Sequence, residues 1–156
     1  SNEYLLLEDK KNQAINLASQ IYDKFNIIYT SQKMEVIGLR FRAQLAENAK
    51  ILSTHFILPE QNHNEIEAFQ NLYLDNINII WIDDIDNHEK ISKRMSLTKE
   101  ILINVNHINV GFNDPCSITR NFKLINFLDW VSYYSAIYNN TDPYPVDVIS
   151  KLKALL

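Results

Sequence analysis

Glycine is almost absent from this chain of 156 residues, which contains only Gly38 and Gly111. The loops that bind dinucleotides (G-x-G-x-x-G) and nucleoside triphosphates (G-x-x-x-x-G-K-S/T) need glycines at fixed spacings, because their backbone N–H groups must approach a phosphate closely. The G-x-S-x-G turn of the α/β-hydrolases has the same requirement for a sharp bend. None of these patterns occurs in the chain, so these three classes of protein have no support.

Cysteine, long apolar runs and clustered positive charge are also scarce. The single Cys116 excludes a disulfide framework and a cysteine-based zinc site, and is compatible with a reducing cytoplasm. No apolar run approaches the length of about 18 residues that spans a membrane, and no signal peptide is visible. Lys and Arg number 15 against 19 Asp and Glu, for a net charge of −4, and they are scattered singly. We expect a cytoplasmic protein that binds neither nucleic acid nor membrane.

The apolar residues that are present alternate between two periodicities. Spacings typical of amphipathic helices alternate with short β-branched runs typical of buried strands. Strands alternating with helices of ten or more residues predict an α/β fold: a flavodoxin-like three-layer sandwich around a parallel sheet of four or five strands. The predicted helices cover residues 5–24, 33–50, 62–73, 87–98, 116–138 and 145–155, and the predicted strands cover 25–30, 51–58, 77–82 and 101–112. The first three strands are predicted to be central.

A polar stripe lies on the second predicted helix, where Arg40, Gln44 and Glu47 follow one another at i, i+4 and i+7. The stripe runs beside the apolar face, so it borders a buried interface, and there a carboxylate can be partly desolvated. The simpler interpretation is a solvated face on which Glu47 and Lys50 pair at i, i+3.

The segment Asn62-His63-Asn64-Glu65 follows Pro59, which ends the second strand. Asn62 as N-cap with Glu65 three residues later would form a capping box, which explains both residues without assigning a function to His63. His63 would then be the first helical residue, where the helix end favours a neutral imidazole that can shuttle a proton. Glu60 is a competing candidate base.

A metal site is the alternative for this segment. His63-x-Glu65 together with Pro115-Cys116 is similar to the H-x-E…P-C-x-x-C signature of zinc deaminases. Thr119 stands where the second cysteine would be, so the ligand set is incomplete. We predict no metal and no cofactor.

Four spaced blocks, in the same order, resemble the C-terminal half of the bifunctional phosphoglucose/phosphomannose isomerases, which are built from two sugar isomerase (SIS) domains. The resemblance covers nearly the whole chain and implies the SIS fold, which is of the type that the periodicity predicts. The blocks are Gln44–Lys50 followed by Leu58–Ile66, His88–Arg94 followed by Thr98–Ile101, Ser132–Ala136, and Asp142–Lys153 with its Asp-Pro-x-Pro-Val start.

The resemblance implies a role for three residues. Glu47 matches the base that transfers the proton, His63 the residue that assists ring opening, and Lys153 the C-terminal lysine that lines the site, with Lys151 as the alternative. The implied reaction converts glucose 6-phosphate to fructose 6-phosphate through an enediol. Mannose 6-phosphate is left open as a second substrate, because the threonine associated with accepting it has no counterpart in residues 144–146. Ala68 replaces a glycine expected after His63.

The family's sugar phosphate is held by Ser/Thr/Gly-rich loops of the N-terminal SIS domain, and this chain has no such loop. Residues 1–156 are therefore expected to be a single SIS-type domain, the C-terminal half of a longer enzyme and inactive by itself. Its expected partners are the sugar phosphate, an N-terminal SIS domain and a second subunit, since in family members the histidine reaches the neighbouring subunit's site. The alternative is a non-catalytic SIS module for sugar-phosphate sensing or dimerisation.

The position of Glu47 presents one difficulty. Ligands of such sheets bind at the carboxyl ends of the strands. Glu47 lies on a helix that approaches its strand from the other end, so the site would have to form between domains or subunits.

Overall fold

A computed structural model describes residues 2–71 and 74–156, with side-chain surroundings for 9–70 and 75–156. The strands are β1 (Phe25–Ser31), β2 (Ser53–Leu58), β3 (Ile77–Ile82) and β4 (Asn106–Val110), and the α-helices are α1 (Asn2–Ile21), α2 (Glu35–Asn48), α3 (Glu89–Ile101), α4 (Ser117–Tyr138) and α5 (Asp147–Ala154). All strand pairs are parallel, in the order β2-β1-β3-β4. The predicted three-layer α/β sandwich is thus confirmed, with four strands.

The two central strands form because every side chain of β3 and all but the first of β1 are buried, which requires helices on both faces. Helices α1, α2 and α4 cover one face, around Ile28 and Ile80. Helix α3 and the segment 60–71 cover the other, around Tyr29 and Trp81. The aromatic rings of Tyr29 and Trp81 meet edge to face, with centroids 5.0 Å apart.

Strand β2 was predicted to be central, and this prediction was wrong, because β2 pairs with β1 alone and forms an edge. Helix α2 lies directly over β1 and β2 at Gly38, where a Cβ atom would come within 2.6 Å of His55 Nε2 and 2.7 Å of Thr30 Cγ2. His55 Nε2 and Thr30 Oγ1 are hydrogen-bonded at 2.8 Å beneath it. Gly38 is therefore needed for close packing of the helix on the sheet.

The helix predicted over residues 62–73 was also wrong, because the structure has two 3₁₀ turns, Glu60–His63 and Glu65–Asn71. The predicted end at Tyr73 lies outside the described residues. The apolar Ile66 and Phe69 are three positions apart, and both pack on the α3 face of the sheet. That spacing suits a 3₁₀ turn, in which side chains at i and i+3 point the same way.

Other predicted boundaries differ by a few residues. Helix α3 extends through Ile101, so the fourth strand is shorter than predicted and covers only Asn106–Val110. Helix α2 begins after a 3₁₀ turn, Gln32–Met34, and ends at Asn48. Helix α5 begins at Asp147, so Pro145 lies before the helix rather than in its first turn.

Candidate functional site

Glu47 lies in the last turn of α2, and its side chain is exposed. Because α2 runs antiparallel to the strands, this turn lies at the amino-terminal edge of the sheet, near the start of β2. The predicted polar stripe is present. Arg40 Nη2 donates to Asp129 Oδ2 at 2.8 Å, and Gln44 Nε2 donates to Asp129 Oδ1 at 3.0 Å. These bonds tie the stripe to α4 and leave the Glu47 carboxylate outside that network.

A cleft of about 550 Å³ opens beside Glu47. One wall is the end of α2 and the chain that follows it, and the other is residues 145–149, which lead into α5. The walls are mostly apolar, and two of the lining side chains are strongly exposed, Leu52 by 78% and Val148 by 81%. Tyr144, which directly precedes the lining residue Pro145, is exposed by 92%. The cleft therefore combines a free carboxylate with apolar surface that nothing in the described part of this domain covers.

Lys153 lies in the last turn of α5 and is exposed, as is Lys151. The structure brings Glu47 together with the start of the helix that carries both lysines, since residues 145–149 line the Glu47 cleft. The pairing predicted between Glu47 and Lys50 takes a different form, because Lys50 Nζ donates to the backbone carbonyl of Glu47 at 2.5 Å.

His63 lies at the opposite end of β2 from Glu47. It is exposed and closes the 3₁₀ turn that follows the carboxyl end of the strand. The six residues of β2 separate the two positions by roughly 20 Å. Within one chain, Glu47 and His63 therefore do not share a site.

The predicted capping box at this segment was wrong. Asn62 lies inside the first 3₁₀ turn, and its Nδ2 donates to Gln61 Oε1 at 2.6 Å and to Thr98 Oγ1 at 2.9 Å. Asn64 stands between the two 3₁₀ turns, and its Oδ1 accepts from the adjacent Glu65 backbone N–H at 2.7 Å. His63 is thus the last residue of a turn and not the first residue of a helix.

Three charged residues fill the crevice at the carboxyl edge between β1 and β3, where the chain connections diverge and where sheets of this type usually bind ligands. Asp84, which follows β3, forms ion pairs with Arg120, whose Nη2 lies 2.8 Å from Asp84 Oδ1, and with Lys33, whose Nζ lies 3.1 Å from Asp84 Oδ2. The side chains of Asp84 and Arg120 are 1% and 3% exposed. Burial alone would raise the pKa of Asp84, but the Asp86 backbone N–H, Lys33 and Arg120 together hold it below its usual value. Lys33 and Arg120 are thus both already paired with carboxylates, those of Asp84 and Asp86.

Glu65 shares a shallow cleft of about 380 Å³ with His55, Glu60 and Gln61, beside the edge strand β2. Glu65 is half-buried, and its desolvation raises its pKa from 4.5 to about 7. Burial, with a smaller contribution from Arg42, lowers the pKa of His55. Glu65 and Glu60 are the carboxyl groups near His63, and they lie far from the cleft of Glu47.

Within residues 9–70 and 75–156, whose side chains the structure describes, no three His, Cys, Asp or Glu side chains are grouped as a metal site would require. His63 and Glu65 are thus not joined there by a third such ligand, and Cys116 is an exposed residue that precedes α4. In the same described part, no helix has the length and apolar character needed to cross a membrane.

The architecture described above is the flavodoxin-like sandwich of the SIS domains. A solved glucose-6-phosphate isomerase like protein from Thermus thermophilus has the same fold, with a TM-score of 0.65 and 19% identity over 92% of this chain and 47% of that one. The family model of the bacterial phospho-glucose isomerase C-terminal SIS domain matches residues 10–156. The chain belongs to that family.

Two relatives are each named bifunctional phosphoglucose/phosphomannose isomerase. The one from Caldicellulosiruptor bescii is 35% identical over 93% of this chain and 44% of its own length. The one from Aquifex aeolicus is 29% identical over 94% of this chain and 47% of its own length. The chain thus spans about half the length of the curated relatives it matches.

The sequence did not reveal the Lys33–Asp84–Arg120 cluster, since its members are 51 and 36 residues apart and look like isolated charges. The available signal was the acidic pair Asp83-Asp84 directly after an almost continuous apolar strand, where a carboxylate must find a cation or face solvent. The order of the strands, which brings β1 and β3 together, was needed to place Lys33 beside it.

Proposed function

We propose that this chain is the C-terminal domain of an aldose–ketose isomerase that interconverts glucose 6-phosphate and fructose 6-phosphate. The observation that carries the proposal is the cleft that joins the exposed Glu47 carboxylate to the start of α5, in a chain of this family. The names of the relatives support the substrate class, since each is called a phosphoglucose/phosphomannose isomerase. Acceptance of mannose 6-phosphate is left to the assay, because no threonine occurs in residues 144–146.

The proposed reaction begins with ring opening, in which the His63 imidazole moves a proton between the ring oxygen and the C1 hydroxyl. The Glu47 carboxylate then takes the proton from C2, and an enediolate forms across C1 and C2. Glu47 returns that proton to C1 while the hydroxyl proton of C2 moves to the C1 oxygen, which leaves a carbonyl at C2. Lys153, which lies on α5, would bind the negatively charged substrate. No electron leaves the substrate, so the reaction needs no redox cofactor.

The site requires parts that this domain does not supply. The crevice at the carboxyl edge is filled by Asp84 and its cations, and the Glu47 cleft offers no loop rich in backbone N–H groups among the residues that line it. We propose that an N-terminal SIS domain covers the Glu47 cleft and binds the phosphate. The exposed Leu52, Tyr144 and Val148 support this arrangement, because apolar surface of this kind is typical of an interface.

His63 would act in the site of a second subunit, which makes the enzyme a homodimer. The separation of Glu47 and His63 by the length of β2 supports this proposal, because both residues can act on one sugar only if they come from different chains.

We further propose that the enzyme is cytoplasmic, which is where sugar phosphates are metabolised. The competing function, a non-catalytic sensing or dimerisation module, is favoured by the filled crevice at the carboxyl edge.

The test uses a chain in which this domain follows an N-terminal SIS domain. Glu47→Gln should lower kcat by roughly 10²–10⁴-fold, because an amide cannot take the C2 proton, and should abolish exchange of that proton with deuterated water. Glu60→Gln, at the other end of β2, is the control and should remain active. If Glu47→Gln kept near-normal turnover, Glu60 or Glu65 would become the better candidate for the base, whereas a parent chain without turnover would favour the sensing module.

The subunit arrangement has its own test. Glu47→Gln and His63→Ala subunits should each be nearly inactive alone, but after dissociation and mixing about a quarter of the activity should return, because each mixed dimer contains one intact site. Mass spectrometry would show whether mixed dimers have formed. If they have formed and no activity returns, His63 does not act in the partner's site.

A further inference from the structure

Lys50 has an unusual backbone conformation at the end of α2. Its φ is 56°, in the left-handed region that glycine and asparagine adopt at low cost and lysine does not. The turn closes with a bond from the Ile51 N–H to the Leu45 carbonyl at 3.0 Å. A strained lysine at a position that suits glycine indicates that its side chain has a role there.

The Lys50 ammonium group bridges two backbone carbonyls. It donates to Glu47 at 2.5 Å and to Pro145 at 2.8 Å, which lie on opposite walls of the same cleft. The Glu47 carbonyl is one of the last in α2 and has no partner within the helix, so a cation there is favourable. The bridge therefore joins the turn that carries Glu47 to the segment that leads into α5.

Few other contacts hold α5 in place. The structure describes every residue of α5, and none of them is buried. Among the described residues, the bond from Lys50 to Pro145 is the one hydrogen bond that joins residues 142–156 to the rest of the domain. The preceding loop is fixed separately, where Asn139 Nδ2 donates to the Ala49 carbonyl at 2.9 Å.

We propose that Lys50 is a positioning residue, which holds α5 and hence Lys153 against the turn of Glu47 and so sets the width of the cleft. This inference rests on the proposed function for its effect on catalysis, although the anchoring of α5 can be measured without it. Lys50 needs no contact with the substrate in this role. Its replacement should loosen one wall of the cleft while the carboxylate on α2 stays in place.

The first experiment measures hydrogen–deuterium exchange in the 156-residue chain, whose described core is large enough to fold alone. In Lys50→Gly the amides of α5 should exchange at least tenfold faster than in the parent, while those of α4 should be unchanged. Glycine removes the ammonium group and also relieves the strained φ, so faster exchange cannot be ascribed to a poorer helix end. Lys50→Arg keeps donors at the position and should restore much of the protection.

The second experiment measures steady-state kinetics of the same variants in the chain with both SIS domains. Lys50→Gly should raise KM for fructose 6-phosphate about tenfold or more and lower kcat less, because Lys153 is misplaced while Glu47 is retained. Lys24→Met is the matched control. Lys24 Nζ also holds two oxygens, the Asp75 carbonyl at 3.1 Å and Asn76 Oδ1 at 3.3 Å, but in a different loop. It should affect stability without changing KM or exchange in α5.

Unchanged exchange in α5 together with an unchanged KM for Lys50→Gly would overturn the proposal. If exchange rose but KM did not, Lys50 would anchor α5 without a role in the site, and the positioning role would be rejected. These results differ from a failure of the proposed function, in which the parent chain with both SIS domains would itself show no isomerase activity.

Discussion

Glu65 shows how burial changes the chemistry of a single side chain. The sequence places it in a polar segment, but the structure places it in the cleft beside β2, where desolvation raises its pKa from 4.5 to about 7. Near pH 7 its two protonation states are both populated, as is also required of a group that exchanges protons. Within one chain Glu65 lies at the other end of β2 from Glu47, and burial of its carboxylate also affects stability.

We expect the stability of this domain to decrease as pH rises from about 4.5 to about 7 because of Glu65. In that interval the folded chain binds more protons than the unfolded chain, so the free energy of unfolding falls with increasing pH. The effect should be on the order of 1 kcal/mol, since a half-buried carboxylate is partly screened by solvent. Urea unfolding at pH 5 and pH 7.5 measures it.

Glu65→Gln should flatten this dependence, because the amide has no charge to desolvate. Glu67→Gln, an exposed neighbour in the same 3₁₀ turn, is the control and should leave it unchanged. An unaltered pH profile for Glu65→Gln would mean that Glu65 is solvated in the folded chain.

The two asparagines of the 60–71 segment show what a local sequence pattern could not predict. Asn62 and Asn64 are both good capping residues in sequence. Thr98, 36 positions away on α3, accepts from Asn62 Nδ2 inside the first 3₁₀ turn, while Asn64 Oδ1 accepts from the Glu65 N–H. The predicted capping box did not take account of the contact with Thr98, which is remote in sequence.

The limits of a strand could be predicted from the sequence where both faces of that strand are fully buried. The limits of β3 agree with the apolar run Ile77–Ile82, because every position of that strand faces a helix layer. Strand β2 has intermediate burial at four of its six positions, and half of its residues, Ser53, Thr54 and His55, are polar. Its sequence therefore did not show whether it is an edge strand or a central one. The parallel fold followed from the alternation of elements, whereas the strand order needed the pairing of β1 with β3.

Helix α4 is held to the sheet by a buried ion pair, and its removal should be costly. Arg120 Nη2 lies 2.8 Å from Asp84 Oδ1, and the guanidinium also contacts Asp86 and donates to the Asp114 carbonyl. In Arg120→Met the buried Asp84 would lose its closest cation and keep only Lys33. We expect a loss of about 3–5 kcal/mol in the free energy of unfolding, measured in urea.

Arg40→Met provides the control, because Arg40 makes an ion pair of the same 2.8 Å length with Asp129, but at the surface. Its removal should cost about 1 kcal/mol or less. Adding Asp84→Asn to Arg120→Met should recover part of the loss, since the unpaired charge is then gone. Equal costs for the two arginines would contradict the buried character of the Arg120 pair.

The whole molecule leaves two apolar surfaces without cover among the described residues. One surrounds the Glu47 cleft and α5. The other runs along α4, where large side chains recur on one exposed face: Ile118, Phe122, Trp130, Tyr133 and Ile137. Phe122 and Trp130 remain 69% and 49% exposed. Apolar patches of this extent usually mark interfaces. Their position could not be predicted from the sequence, because the same residues would equally suit a buried helix.

These surfaces, together with the filled crevice at Asp84, lead to a prediction for the 156-residue chain by itself. It should be a stable, dimeric domain without isomerase activity, and fructose 6-phosphate should bind weakly or not at all. The physical reason is that the Glu47 cleft contributes a carboxylate and apolar walls, but no group of donors for a phosphate among its described lining. Sedimentation measures the association, and calorimetric titration measures the binding.

The matched measurement repeats the titration after an N-terminal SIS domain is restored, either in the same chain or as a separate domain. Binding should then appear, and it should weaken when Lys153 is changed to Met but not when the exposed Lys90 on α3 is changed in the same way. Micromolar binding by the 156-residue chain alone, roughly −8 kcal/mol, would contradict the prediction. The domain would then hold the phosphate by itself, and the N-terminal domain would not be needed to complete the site.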